Sequence, residues 1–157
     1  MLHAIKKLNE FCIVHRDIHP KNFIDNNHHL KLGNFVIAKK MEIFDPNLKK
    51  KNVNRYCSPQ VLDRVNHTYK ADLWSIAIIF HQMTIGDLPF DGETNEQISK
   101  DIRVNLDKKL LHIQKQPQLT QKAKNFLFEI LKYDERERIS IDDLFFHPFI
   151  KQMKVLL

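Results

Sequence analysis

A chain of 157 residues, 43% hydrophobic and 28% charged, is long enough for one globular domain that buries about 70% of its unfolded surface. No apolar run approaches the roughly 18 residues that span a bilayer, and the opening Met-Leu-His-Ala-Ile-Lys-Lys carries charge inside its apolar pattern with no small-residue cleavage site, which speaks against a membrane partner and a secretory leader. The net charge of +6 is partly local, in Lys39, Lys40, Lys49, Lys50 and Lys51; with no aromatics interleaved and no nucleic-acid signature, a solvated loop is expected there, and no nucleic-acid partner.

Leu2, Ile5, Leu8 and Phe11 recur at helical spacing, so the chain opens on an amphipathic helix. Ile13-Val14 is a short apolar step into a loop at 15–22. Phe23-Ile24 and Leu30-Lys31-Leu32 flank Asp25-Asn26-Asn27, which reads as a small hairpin. Residues 36–56 lack periodicity and are expected to be loop, and Pro59-Gln60 introduces a short helix. From Asp72 to Met83 apolar residues point nearly all round the helix, the mark of a central helix buried on every side, which Gly86 and Pro89 stop. Residues 94–102 and 121–131 read as amphipathic helices, the second capped by Thr120. Ser140 and Asp143 make a capping-box-like pair, and Pro148 opens a last helix. Cys12 and Cys57 lie far apart with no CxxC spacing, so both are expected as buried thiols of an intracellular protein, cytoplasmic or nuclear. His28-His29, with His3 and His19, matches no metal-ligand spacing and reads as a polar turn.

His15-Arg16-Asp17 with Asn22, Leu-Lys-Leu-Gly-Asn-Phe-Val at 30–36, Tyr-Cys-Ser-Pro-Gln at 56–60, Tyr-Lys-Ala-Asp-Leu-Trp-Ser at 69–75, Gly-Asp-Leu-Pro-Phe at 86–90 and Arg138-Ile-Ser before His147-Pro-Phe stand in one order along the chain. Together they resemble the C-terminal lobe of a eukaryotic-type Ser/Thr protein kinase, from about residue 2 to residue 150. The resemblance implies a mainly α fold with a small β element and one partial kinase domain over 1–157. Within it fall a catalytic loop at 15–22, an activation segment at 34–60 and a central helix at about 72–83. In such kinases the loop Asp accepts the substrate hydroxyl proton and the loop Asn holds a magnesium ion, which places these roles at Asp17 and Asn22. It also implies that Asp72 accepts hydrogen bonds from the loop backbone, that His15 and Phe35 belong to a hydrophobic spine, and that Ile24, with Ile79 and Met83 behind it, floors the adenine site if ATP binds.

Several positions depart from the family. Asn34-Phe35-Val36 replaces Asp-Phe-Gly, so a neutral amide stands where a carboxylate binds metal, an exchange expected to cost on the order of 4 kcal/mol in transfer. Val36 replaces a glycine whose value is backbone freedom. His19 replaces the Lys that steadies the transferring phosphate. Val53 stands where a Thr bonds the catalytic Asp, and Gln60 replaces a Glu whose partner would be Arg138. No Ser, Thr or Tyr lies between Val36 and Arg55, which leaves nothing to phosphorylate there and turns Arg16 toward Glu42, Asp45 or water. The three glycines, Gly33, Gly86 and Gly92, form no Gly-rich phosphate loop, and the lobe that carries it in the family is expected to be absent. The expectation is a catalytically impaired pseudokinase or truncated kinase lobe acting through a protein partner on its exposed front, with no cofactor of its own. The alternative is a Ser/Thr kinase using ATP and Mg²⁺ within a larger chain.

Overall fold

The computed structural model describes residues 1–27, 29–41 and 54–155. Its centre is a helix, α3 (Lys70–Ile85), in which every residue from Ala71 to Ile79 is buried. An element apolar on all sides has to be enclosed. It packs against α1 (Leu2–Glu10) and α5 (Gln121–Ile130), and α2 (Pro59–Leu62) lies on α4 (Asn95–Lys115). α6 (Ile141–Phe146) and α7 (Pro148–Val155) close the far side. Gly86 ends α3 at φ 103°, where its N–H caps the Gln82 carbonyl, a left-handed turn that glycine makes at little cost.

The strands serve the front of the molecule. β2 (Phe23–Asn26) pairs with β3 (His29–Leu32) in the expected hairpin. A second ladder joins β1 (Ile13–Val14) to β4 (Lys39–Lys40), where loop alone was expected after residue 36. This ladder is backbone-driven and leaves no periodicity in a two-residue strand, so the sequence could not signal it. It clips together the two ends of residues 15–38, and the 15–22 loop, the hairpin and Asn34 form one closed excursion.

Several expectations hold in detail. Thr120 caps α5 by accepting the Ala123 N–H, and Ser140 caps α6 by accepting that of Asp143. Others need correction. α4 runs on to Lys115, well past residue 102, because Leu106, Leu110 and Ile113 continue the stripe begun by Ile98 and Ile102. Met83 is 71% exposed, so the enclosed part of α3 ends before it. Cys57 is buried, whereas Cys12, at positive φ just after α1, is exposed. Glu42, Asp45, Lys49, Lys50, Lys51, Val53 and His28 lie outside the described residues.

Candidate functional site: an amide–carboxylate cluster on the catalytic loop

The loop at 15–22 hangs from the central helix. Asp72, 1% exposed, accepts the His15 N–H at 2.7 Å and the Arg16 N–H at 2.8 Å, one on each carboxylate oxygen. This holds Arg16 at φ 70°, a conformation a non-glycine residue keeps only under such constraint. His15 Nε2 lies 2.9 Å from the Gly33 carbonyl. A carbonyl only accepts, so the proton sits on Nε2, and Nδ1 is left to accept the Asp17 N–H at 3.3 Å. The edge contact of His15 with Phe35, centroids 4.9 Å apart, completes the spine pair.

A 3-10 turn at Pro20–Asn22 then brings Asn22 back beneath Asp17. Asn22 Nδ2 donates to the Asp17 carbonyl at 2.7 Å and to Asp17 Oδ2 at 3.3 Å. Asn34, at φ 61°, follows the hairpin and donates from Nδ2 to Asn22 Oδ1 at 3.1 Å and to Asp17 Oδ2 at 3.4 Å. His19 Nε2 stands 3.6 Å from the same oxygen. Asp17, His19, Asn22 and Asn34, picked out separately in the sequence, therefore meet around one carboxylate. Ile24 stands apart from them, 59% exposed on β2.

The sequence reasoning missed Asn54. This buried residue donates from Nδ2 to Asp17 Oδ1 at 2.8 Å, and its Oδ1 accepts the Tyr56 N–H at 2.9 Å. The side-chain hydrogen bond to Asp17, expected to be lost with Val53, is supplied one residue later. An amide directly beside the expected position was the available signal. Tyr56 in turn donates to Gln82 Oε1 at 2.8 Å, which fixes this stretch to α3. Beside the cluster opens a cleft of about 590 Å³, with Asp17, His19, Lys21, Asn54, Arg55 and Tyr56 in its walls.

The expected Gln60–Arg138 contact is present. Arg138 is 2% exposed and donates from Nη2 to Gln60 Oε1 at 2.7 Å, with further bonds to the Lys132, Lys70 and Tyr133 carbonyls. Burial pushes its guanidinium down to about 10, against weaker opposing pulls from Glu135 and Asp134.

These side chains make a poor magnesium site. Mg²⁺ binds hard, preferably anionic oxygens and dehydrates reluctantly, yet among the described residues the cluster holds one carboxylate, and Asn34 turns its N–H₂ group toward the oxygens an ion would need.

The fold is mainly helical with a small β element, as the resemblance to a kinase lobe implies. Residues 1–150 match the family model described as the protein kinase domain, and the chain belongs to that family. It is 30% identical over 154 residues to the serine/threonine-protein kinase atg1 of Dictyostelium discoideum, covering 96% of this chain and 22% of that protein. It is 29% identical over 150 residues to the serine/threonine-protein kinase ULK3 of Rattus norvegicus, covering 94% and 31%. A third relative, the probable serine/threonine-protein kinase CCRP1 of Zea mays, is 29% identical over 152 residues, covering 94% and 24%. The chain thus spans less than a third of the length of these relatives. No helix among the described residues is long and apolar enough to cross a membrane.

Proposed function

We propose that this chain is a kinase-family lobe with severely impaired phosphoryl transfer, which acts inside the cell by binding another protein. The observation that carries this reading is the orientation of Asn34, whose amide donates to Asn22 Oδ1 and Asp17 Oδ2 where catalysis calls for a metal-binding carboxylate. His19 supports it, since an imidazole 3.6 Å from Asp17 is a weaker phosphate clamp than a lysine ammonium. Binding is supported by exposed apolar side chains on and after the hairpin, where Ile24, Leu30, Phe35 and Val36 are each about half exposed or more. Large apolar side chains left exposed near one site favour contact with a partner, or with a further part of the same protein.

A second reading is favoured by one feature. Asp17 is still anchored by Asn22 and Asn54 as a proton acceptor requires, and the relatives are named as Ser/Thr kinases. On that reading the lobe serves an active kinase in a longer chain, using ATP and Mg²⁺.

Phosphate incorporation decides between them. The native full-length protein is incubated with γ-labelled ATP, Mg²⁺ and generic acidic and basic protein substrates, beside its Asp17→Ala variant. The proposal expects equal, background incorporation. Incorporation by the wild type that disappears in Asp17→Ala overturns it in favour of the active kinase.

A further inference from the structure

We infer that the Asn34 carboxamide is an internal substitute for the divalent cation, tying the catalytic loop to the segment after β3 by hydrogen bonds and keeping the ion out. The inference rests on the reading of the site as non-catalytic and adds how the site holds together without metal.

The amide orientations follow from an obligate acceptor. The Asp17 main-chain carbonyl can only accept, so Asn22 must present Nδ2 to it, at 2.7 Å. That turns Asn22 Oδ1 toward Asn34, which must then present Nδ2 in its turn, at 3.1 Å. The same Nδ2 lies 3.4 Å from Asp17 Oδ2, which as a carboxylate oxygen also accepts. A chain of donors and acceptors therefore closes on itself, with the amide hydrogens of Asn34 pointing at two oxygens from two side chains. A bound cation bridges oxygens in just this way. Here the partial positive charge of an N–H₂ group does so, with no ion to lose.

The backbone at Asn34 makes the inference testable. Its φ of 61° suits Asn and Asp alike, so Asn34→Asp changes one atom's chemistry and leaves the shape alone. It replaces the donor by an anionic oxygen facing Asp17 Oδ2 and Asn22 Oδ1. Without an ion these oxygens repel; with one, they become a ligand set.

The test is thermal unfolding of the full chain in EDTA and in graded MgCl₂, with NaCl matching the ionic strength. The wild type is expected to melt at the same temperature throughout. Asn34→Asp is expected to melt lower in EDTA and to recover in a Mg²⁺-dependent manner. Asn34→Gly, which removes the donor without adding charge and suits the left-handed backbone, is expected to melt below the wild type and show no Mg²⁺ recovery, which keeps the test decisive even where Asn34→Asp folds poorly. Mg²⁺ stabilisation of the wild type overturns the inference, as does an Asn34→Gly variant that melts with the wild type. These outcomes are separate from phosphate transfer: a wild type stabilised by Mg²⁺ yet inactive defeats the amide substitution alone, and an active wild type defeats the functional reading.

Discussion

Arg138 and Gln60 are joined by a 2.7 Å hydrogen bond in which the guanidinium donates to the amide oxygen, and the other end of the same amide donates to the Tyr133 carbonyl at 2.6 Å. Both ends of Gln60 are therefore used, which a carboxylate could not match. Gln60→Ala leaves a buried cation short of one acceptor and is expected to cost about 1–3 kcal/mol in urea unfolding. Gln60→Glu restores an ion pair but sets an oxygen against the Tyr133 carbonyl, so it is expected to be no more stable than the wild type. A clear gain in Gln60→Glu would show that the amide is only a degraded acid.

Asp72 sets a larger penalty. Its carboxylate satisfies two backbone N–H groups of the 15–22 loop from a site that is 1% exposed. Asp72→Ala strands both and releases Arg16 from its left-handed conformation, for an expected loss of roughly 3–5 kcal/mol. Asp72→Asn keeps one acceptor and should fall between. Equilibrium denaturation measures both, and a loss under about 1 kcal/mol for Asp72→Ala would contradict the role given to Asp72.

His81 makes the protein acid-sensitive. The ring is 2% exposed, with Nδ1 3.0 Å from the Asp87 carbonyl. Burial lowers its pKa from 6.5, opposed by the Asp87 carbonyl and carboxylate and aided by His112 and Lys109. A base with a lowered folded-state pKa binds more protons when unfolded, so stability is full above pH 6.5 and falls as the pH drops below it. His67, half-buried and shifted the same way, adds to the slope. His81→Asn keeps a donor near Nδ1 and is expected to flatten part of the loss between neutral and mildly acid pH, read from unfolding midpoints across that range. An unchanged slope would remove His81 from the account.

Thr94 starts α4 with a capping box in which its hydroxyl accepts the Gln97 N–H at 3.2 Å and Gln97 Oε1 accepts the Thr94 N–H at 3.3 Å. Thr94→Ala is expected to cost about 1 kcal/mol, measured by the denaturation midpoint. The effect should be local, with no change in the environment of Asn54 or Asp17.

The helical body was legible because its signals are strong and local. Full apolar coverage marks α3, hydroxyl caps mark α5 and α6, and the motif order placed Asp17, Asn22 and Asn34 before any contact was seen. What was not legible depends on tertiary partners. The β1–β4 ladder is two residue pairs long and backbone-made. The full length of α4 is hidden in the sequence because Val104 and Leu111, both exposed, fall off the apolar stripe and blur its spacing. The amide of Asn54 beside the expected position was a faint signal, because spacing alone does not tell whether residue 53 or 54 faces Asp17. The orientation of Asn34 was equally hidden, since it follows from a carbonyl five residues back along the loop from Asn22.

The most direct test of the central claim, that this is a closed amide–carboxylate cluster and not a metal site, is the side-chain amide spectrum of ¹⁵N-labelled protein titrated with Mn²⁺. The account predicts that the N–H₂ signals of Asn34 and Asn22 keep their positions and intensities at ion concentrations that fill an ordinary magnesium-enzyme site. Selective broadening of those two signals, and of Asn54 beside them, would place an ion at Asp17 and contradict it.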